Sequence, residues 1–387
     1  MMKYETSKGV HDPTIIYWKQ NKRFYMYSTD TSMESKTTQG IQVRTSTDLE
    51  NWEYIGTALE GIHDEVYKYT RPSNLWAPEV KIMGNVLRMY YSASIFGTNE
   101  SCICMAESNH PEGPWQHKGV VLSSHPEKND YNAIDANVLF DHEGKLWMTF
   151  GSFFSGIFIT ELDVNTGFLK DNKLIKIASR PITIEGAIEG PFIHYREENE
   201  MYYLFTSYDF LGKNYNVRVA RSKKITGPYH DINDLNMFGL SERPHQNGLK
   251  IIGSYRLSCE PNWYSIGHNS VFEYQESDFF VSHTRIEESP HSHFAFIREI
   301  LWSKSGWPLT TVGINIKKCD SKEYLNNFFE IIVFENEFNG PKNSDLVRIN
   351  SNWEYIVYQC EMADGTPKIG ISGITDNNEM FFGVMEE

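Results

Sequence analysis

A loose repeat constrains this chain more than any other feature. Runs of β-type residues recur in groups of three or four, separated by polar turns such as His142-Glu143-Gly144-Lys145. One group covers 15–17, 23–28, 40–46 and 52–56, and the next covers 79–82, 86–92, 102–108 and 115–119. A third covers 137–140, 146–152 and 156–162, and a fourth 190–193, 201–207 and 217–222. A fifth and weaker group surrounds 268–272 and 278–283. Capped stretches with a 3.6-residue period are scarce. Evenly recurring strand meanders of this length predict an all-β, five-bladed β-propeller, in which each unit's first strand lines a central channel. A β-sandwich is the alternative, but its strands do not recur so evenly. After about Lys317 the pattern changes. The runs 328–334, 353–358, 368–373 and 380–384 read as a small β-barrel or sandwich-like module. The division expected is therefore a catalytic propeller over 1–316 and a C-terminal β module of unassigned role over 317–387.

The bulk properties narrow the ligand. Net charge is −15, and the longest basic run is Arg221-Ser222-Lys223-Lys224. A groove that tracks nucleic-acid phosphates needs clustered Lys and Arg. The acidic balance fits a neutral substrate and argues against anionic polymers. Aromatic residues make up 14% of the 387 residues, which favours strands and offers stacking surfaces for sugar rings. The five cysteines, Cys102, Cys104, Cys259, Cys319 and Cys360, form no CxxC pair and read as free thiols in a reducing compartment. No apolar run reaches membrane-spanning length. The opening Met1-Met2-Lys3-Tyr4-Glu5-Thr6 lacks the apolar core of a secretory signal, so a cytoplasmic protein is expected.

Chemistry concentrates where the units begin. Asp12 precedes the first run of unit one, Glu79 holds that place in unit two, Asp135 in unit three, Glu189 in unit four and His268 in unit five. Alone, an Asp before Pro is usually a turn residue. In a radial array these positions would meet at one end of the channel. Carboxyls that close cannot all ionise freely, so at least one pKa should rise, which allows both a general acid and a general base. Glu79 reads as a wall residue. His291-Ser292-His293, beside Glu287-Glu288-Ser289-Pro290, reads as part of an exposed turn rather than a metal site.

Seven segments in order resemble glycoside hydrolase family 43, and within it the endo-1,5-α-L-arabinanases, over about residues 8 to 316. They are His11-Asp12-Pro13, Leu75-Trp76-Ala77-Pro78-Glu79-Val80, 91–97, Asn132-Ala133-Ile134-Asp135 with 151–156, 178–181 with 187–193, 221–229, and Gly267-His268-Asn269-Ser270-Val271. The resemblance implies an inverting hydrolysis of α-1,5-L-arabinofuranosidic bonds in arabinan or arabino-oligosaccharides. Asp12 would be the general base, Glu189 the general acid, and Asp135 the residue that orients Glu189 and keeps its pKa high. Room for a water would then separate Asp12 from Glu189 by about 6.5–9.5 Å. Trp76, Phe96, Asn132, Ser152, Phe154 and Ser155 would contact the sugar. His268 resembles a histidine that holds a calcium ion, mostly through waters. The alternatives are a β-xylosidase or α-L-arabinofuranosidase of the same family, and a non-catalytic carbohydrate-binding propeller. The invertase and levansucrase group fits less well, since Thr70-Arg71-Pro72 lacks its Asp and Glu189 precedes Gly. A cytoplasmic location would limit the substrate to short, imported oligosaccharides.

Overall fold

The computed structural model describes residues 3–33, 36–239, 243–324, 326–337 and 340–386. Its regular structure is almost entirely β, with five short 3-10 turns as the helical elements among the described residues. Four antiparallel four-stranded sheets follow one another, each with its strands in chain order. The first comprises Thr14–Trp18, Arg23–Ser28, Gln42–Ser46 and Glu53–Thr57. The second comprises Leu75–Met83, Val86–Ser94, Ser101–Ser108 and Gln116–Ser124. Asn137–Phe140, Leu146–Phe150, Ile157–Leu162 and Ile175–Ala178 make the third. Ile188–Arg196, Met201–Tyr208, Asn216–Ser222 and Leu249–Ile252 make the fourth.

The fifth sheet is larger than its weak sequence signal implied. Its long strands Trp263–Tyr274, Ser277–Ile286 and Ser289–Trp302 continue into Pro308–Thr310. Tyr255–Arg256 and Lys342–Asn343 extend the other edge, the last pair running parallel. A sixth sheet orders Ile314–Lys318, Glu354–Glu361, Pro367–Ile374, Met380–Met385, Phe328–Val333 and Asp345–Arg348.

Strand period explains why the runs look continuously apolar. Successive side chains point to opposite faces, and both faces here are covered. Tyr25 and Tyr27 pack with Met89 and Tyr91 of the second sheet, while Phe24 and Met26 pack with Phe272 and Val281 of the fifth. Tyr90 and Met105 join Val138 and Met148 between the second and third sheets. Tyr202 and Leu204 join Leu139 and Ile159 between the third and fourth. Tyr203 and Phe205 enter a cluster with Trp263 and Phe280 of the fifth sheet, which continues to Tyr358 and Phe382 of the sixth. Each of the first five sheets thus shares a buried apolar layer with two of the others.

The five cysteines are free, and the Cys102 and Cys104 sulfurs lie 3.7 Å apart in the core of the second sheet.

Candidate active site

A shared backbone device marks the start of the first strand in each of the first four sheets and the middle of Trp263–Tyr274 in the fifth. Asp12, Ala77, Asp135, Gly190 and His268 all take positive φ, at 49°, 41°, 61°, 55° and 49°. Such values are uncommon outside glycine and cluster where a strand end must re-aim a side chain. In three sheets the cross-strand register skips at this point, between Trp76 and Glu79, Glu189 and Phe192, and Gly267 and Ser270. These are bulges, which turn side chains out of the regular alternation.

The alignment corrects the register expected for Glu79. It matches Thr14 and Asn137, two residues past the left-handed position, and those residues hold it. Thr14 Oγ1 donates to Glu79 Oε2 and Asn137 Nδ2 to Oε1, each at 3.1 Å. Burial pushes the Glu79 carboxyl up to about 7. Glu189 is offset the other way, one residue before the left-handed position, which in its strand is Gly190. A Cβ on Gly190 would meet the Cα and Nδ1 of His268 at 3.4 Å.

The strand ends surround one recess of about 880 Å³. Asp12, Asp135 and Glu189 line it together with Trp76, Phe96, Asn132, Ser152, Phe154 and His268. Ser155 is outside that lining, and its backbone N–H donates to Asp130 O at 3.1 Å. Asn132 Oδ1 accepts from Ser101 Oγ at 2.7 Å, which fixes its amide. Phe96 and Phe154 are 77% and 43% exposed, and Ile182 and Phe210 join them on the rim. Apolar surfaces left bare around a polar floor suit the faces of a sugar.

The three acids differ in their surroundings. Asp12 Oδ2 accepts from Thr29 Oγ1 at 2.6 Å and lies 2.8 Å from His11 Nδ1, while Oδ1 lies 3.3 Å from His268 Nδ1. Burial alone would push its carboxyl up, but His11 and His268 hold it well below the usual carboxylate range. Asp135 is less strongly offset, with only a smaller lowering by His11. Burial and the nearby Asp12 charge push it up to about 8, against one stabilising hydrogen bond from the Gly190 N–H. Burial and the Asp135 charge likewise push Glu189 up to about 7, against hydrogen bonds from Tyr215 and Ser152. Tyr215 Oη donates to Glu189 Oε1 at 2.7 Å and Ser152 Oγ to Oε2 at 2.8 Å. The floor therefore pairs an acid held ionised with two mutually coupled carboxyls raised toward neutral pH, where charge on one favours a proton on the other, which is the division that acid–base catalysis requires.

Several residues of the site escaped the sequence reading. Tyr215 follows a loop notable only for its shortness. His283 is fully buried, and its Nδ1 accepts the Asp12 backbone N–H at 3.2 Å. Its ring stacks on His11 with centroids 3.8 Å apart. His293, expected in an exposed turn, lies in a strand of the fifth sheet, lines the recess and meets His11 edge-on at 4.7 Å. The turn is confined to Glu287-Glu288. Thr29 and Ser92 were also unmarked, and Ser92 Oγ accepts the Asp135 N–H at 3.0 Å.

Calcium favours six to eight oxygen ligands. Near His268 stand the Asp12 carboxylate, with Oδ1 3.3 Å from Nδ1, and Glu189, so few protein oxygens gather there for that ion. An ion beside His268 would have to be held mainly through water.

The Glycosyl hydrolases family 43 model matches residues 6–308. An extracellular endo-α-(1→5)-L-arabinanase of Thermotoga petrophila is 30% identical over 82% of this chain and 74% of its own length. The extracellular endo-α-(1→5)-L-arabinanase 1 of Bacillus subtilis is 33% identical over 77% of this chain and 87% of its own. A crystal structure of the endo-1,5-α-L-arabinanase from Thermotoga petrophila RKU-1 superposes with a TM-score of 0.81 at 26% identity, covering 98% of each chain. These relatives overturn the cytoplasmic expectation, since both are named as extracellular enzymes. The restriction to short, imported oligosaccharides falls with it.

Proposed function

The chain belongs to glycosyl hydrolase family 43, and from that footing we propose that it is an inverting enzyme acting through Asp12, Asp135 and Glu189. It is a glycosidase that hydrolyses α-1,5-L-arabinofuranosidic linkages, with arabinan or arabino-oligosaccharides as substrate. One observation carries the assignment of roles: Asp12 is held ionised by His11 and His268 while Glu189, in the same recess, keeps its proton to about pH 7.

In the reaction, Asp12 takes a proton from a water as its oxygen attacks the anomeric carbon. Glu189 gives its proton to the departing glycosidic oxygen on the opposite face, so the C–O bond breaks without charge building on the leaving group. Asp135 holds the peptide that follows Glu189 and keeps its carboxyl protonated by repulsion. Trp76, Phe96 and Phe154 supply apolar walls for the furanose rings, and Asn132 and Ser152 supply polar contacts. A hydrated calcium ion on His268 belongs to the same reading. When bound it would add positive charge to the channel, and no step passes through it. A rate that a chelator lowers and calcium restores supports this part, while a chelator-insensitive rate removes it.

The architecture follows the same reading. The first five sheets are five blades in a ring over residues 1–316, supported by the apolar layers that each shares with two others. Residues 317–387 form most of a C-terminal β module, which begins with the strand Ile314–Lys318, lends Lys342–Asn343 to the fifth sheet and shares an apolar cluster with it.

Parallel assays on linear 1,5-arabinan, 1,5-arabinotriose and an aryl β-xyloside test the substrate. Turnover of the arabinose substrates with little on the xyloside is expected. The reverse ranking would assign a β-xylosidase instead.

A further inference from the structure

Away from the recess, two histidines and a glutamate converge where the connector between the first and second sheets meets the outer strand of the second. His63 caps the short 3-10 turn Asp64–Lys68, and Glu65 lies in its first turn. His117 lies on Gln116–Ser124. None of the three lines the catalytic recess.

The outer strand is bent to bring them together. Its pairing skips a residue between His117 and Gly119, and Gly119 takes a φ of 145°. That bulge aims His117 at the connector. His117 Nε2 stands 3.0 Å from Glu65 Oε2, and the His63 and His117 rings stack with centroids 4.1 Å apart. One ligand atom from each residue lies within 4.8 Å of the other two. Tyr91, buried in the second sheet, holds the far nitrogen of His117 at 2.7 Å through its hydroxyl. A partner on the second ring nitrogen is how metal-bound histidines are oriented.

We infer that His63, Glu65 and His117 form a site for a first-row transition-metal ion, best matched by Zn²⁺, that ties the inter-sheet connector to the second sheet's outer strand. Two imidazoles and one carboxylate suit zinc, with water completing a tetrahedron. They are too few and too nitrogen-rich for calcium or magnesium. Ligand atoms on tetrahedral zinc lie about 3.3 Å apart for bonds of about 2.0 Å. The Glu65–His117 pair is already close to that spacing, and the exposed His63 has room to close the remainder. On doing so it gives up the bond its Nδ1 accepts from the Glu65 N–H, which is long at 3.2 Å.

The test compares the full-length wild type with His63→Asn and with Glu65→Gln, each freed of metal by a chelator and then dialysed. Asparagine preserves the cap at 63 and glutamine the shape at 65, and the melting temperature without metal checks that each folds. Titration with ZnCl₂ by calorimetry is decisive, because histidines elsewhere remain in all three proteins. The wild type should bind one zinc more than the variants, or bind it at least about tenfold more tightly. Co²⁺ in place of zinc should give the visible bands of a low-coordinate site in the wild type alone. Zinc isotherms that match between the wild type and both variants, or no zinc uptake by the wild type, would overturn the site.

Discussion

The backbone N–H of Gly190 donates to Asp135 Oδ2 across 3.1 Å. This bond ties the residue after Glu189 to a carboxylate on the neighbouring sheet, so the position and the charge of Asp135 act on Glu189 together. Removing the charge alone separates the two effects. Asp135 and Glu189 titrate as a coupled pair, so in Asp135→Asn the like charge that raises Glu189 is gone, and the Glu189 pKa falls. Activity requires protonated Glu189 and is lost as pH rises through that pKa. The alkaline limb of kcat/KM should therefore move from near pH 7 to lower pH. An unmoved limb would mean that Asp135 does not set this proton.

Tyr215 acts in the opposite sense. Its hydroxyl stabilises the ionised form of Glu189, so Tyr215→Phe should raise the Glu189 pKa and carry the alkaline limb to higher pH. A pH–rate profile beside that of Asp135→Asn should show shifts of opposite sign.

Acid and base are distinguished by the leaving group. Asp12→Asn and Glu189→Gln should each lower kcat on arabinan by about 10²–10⁴ with little change in melting temperature. An aryl arabinofuranoside whose phenol departs without a proton should largely rescue Glu189→Gln. It should not rescue Asp12→Asn, since the water still lacks its base. Rescue of the Asp12 variant instead would exchange the two roles.

Gly190 is held by conformation as well as space. At φ 55° an added Cβ must sit in the left-handed region and against the His268 ring at 3.4 Å. Gly190→Ala should cost about 1–2 kcal/mol of stability by chemical denaturation, and it should lower kcat more than it raises KM, because it displaces the acid.

The strand groups and the clustering of Asp12, Asp135, Glu189 and His268 in one recess were legible because each depends on local residue order. The offset of Glu189 and the depth of Glu79 were not, since both come from bulges that alternation alone does not reveal. Tyr215 enters the site from the loop just before Asn216–Ser222, and His283 and His293 enter from other strands of the fifth sheet. Their contacts join positions as distant in sequence as His11 and His293, and no short motif announces them. The fifth sheet looked weak because its long strands carry His268, His283, Arg285 and His293 where they face the recess.

The anomer released first is the most direct test of a water placed between Asp12 and Glu189. Proton NMR of the early hydrolysis of linear 1,5-arabinan or arabinotriose reads it before mutarotation. Inversion predicts β-L-arabinofuranose as the initial product. Initial release of the α-anomer would mean retention, and would contradict the roles given to Asp12 and Glu189.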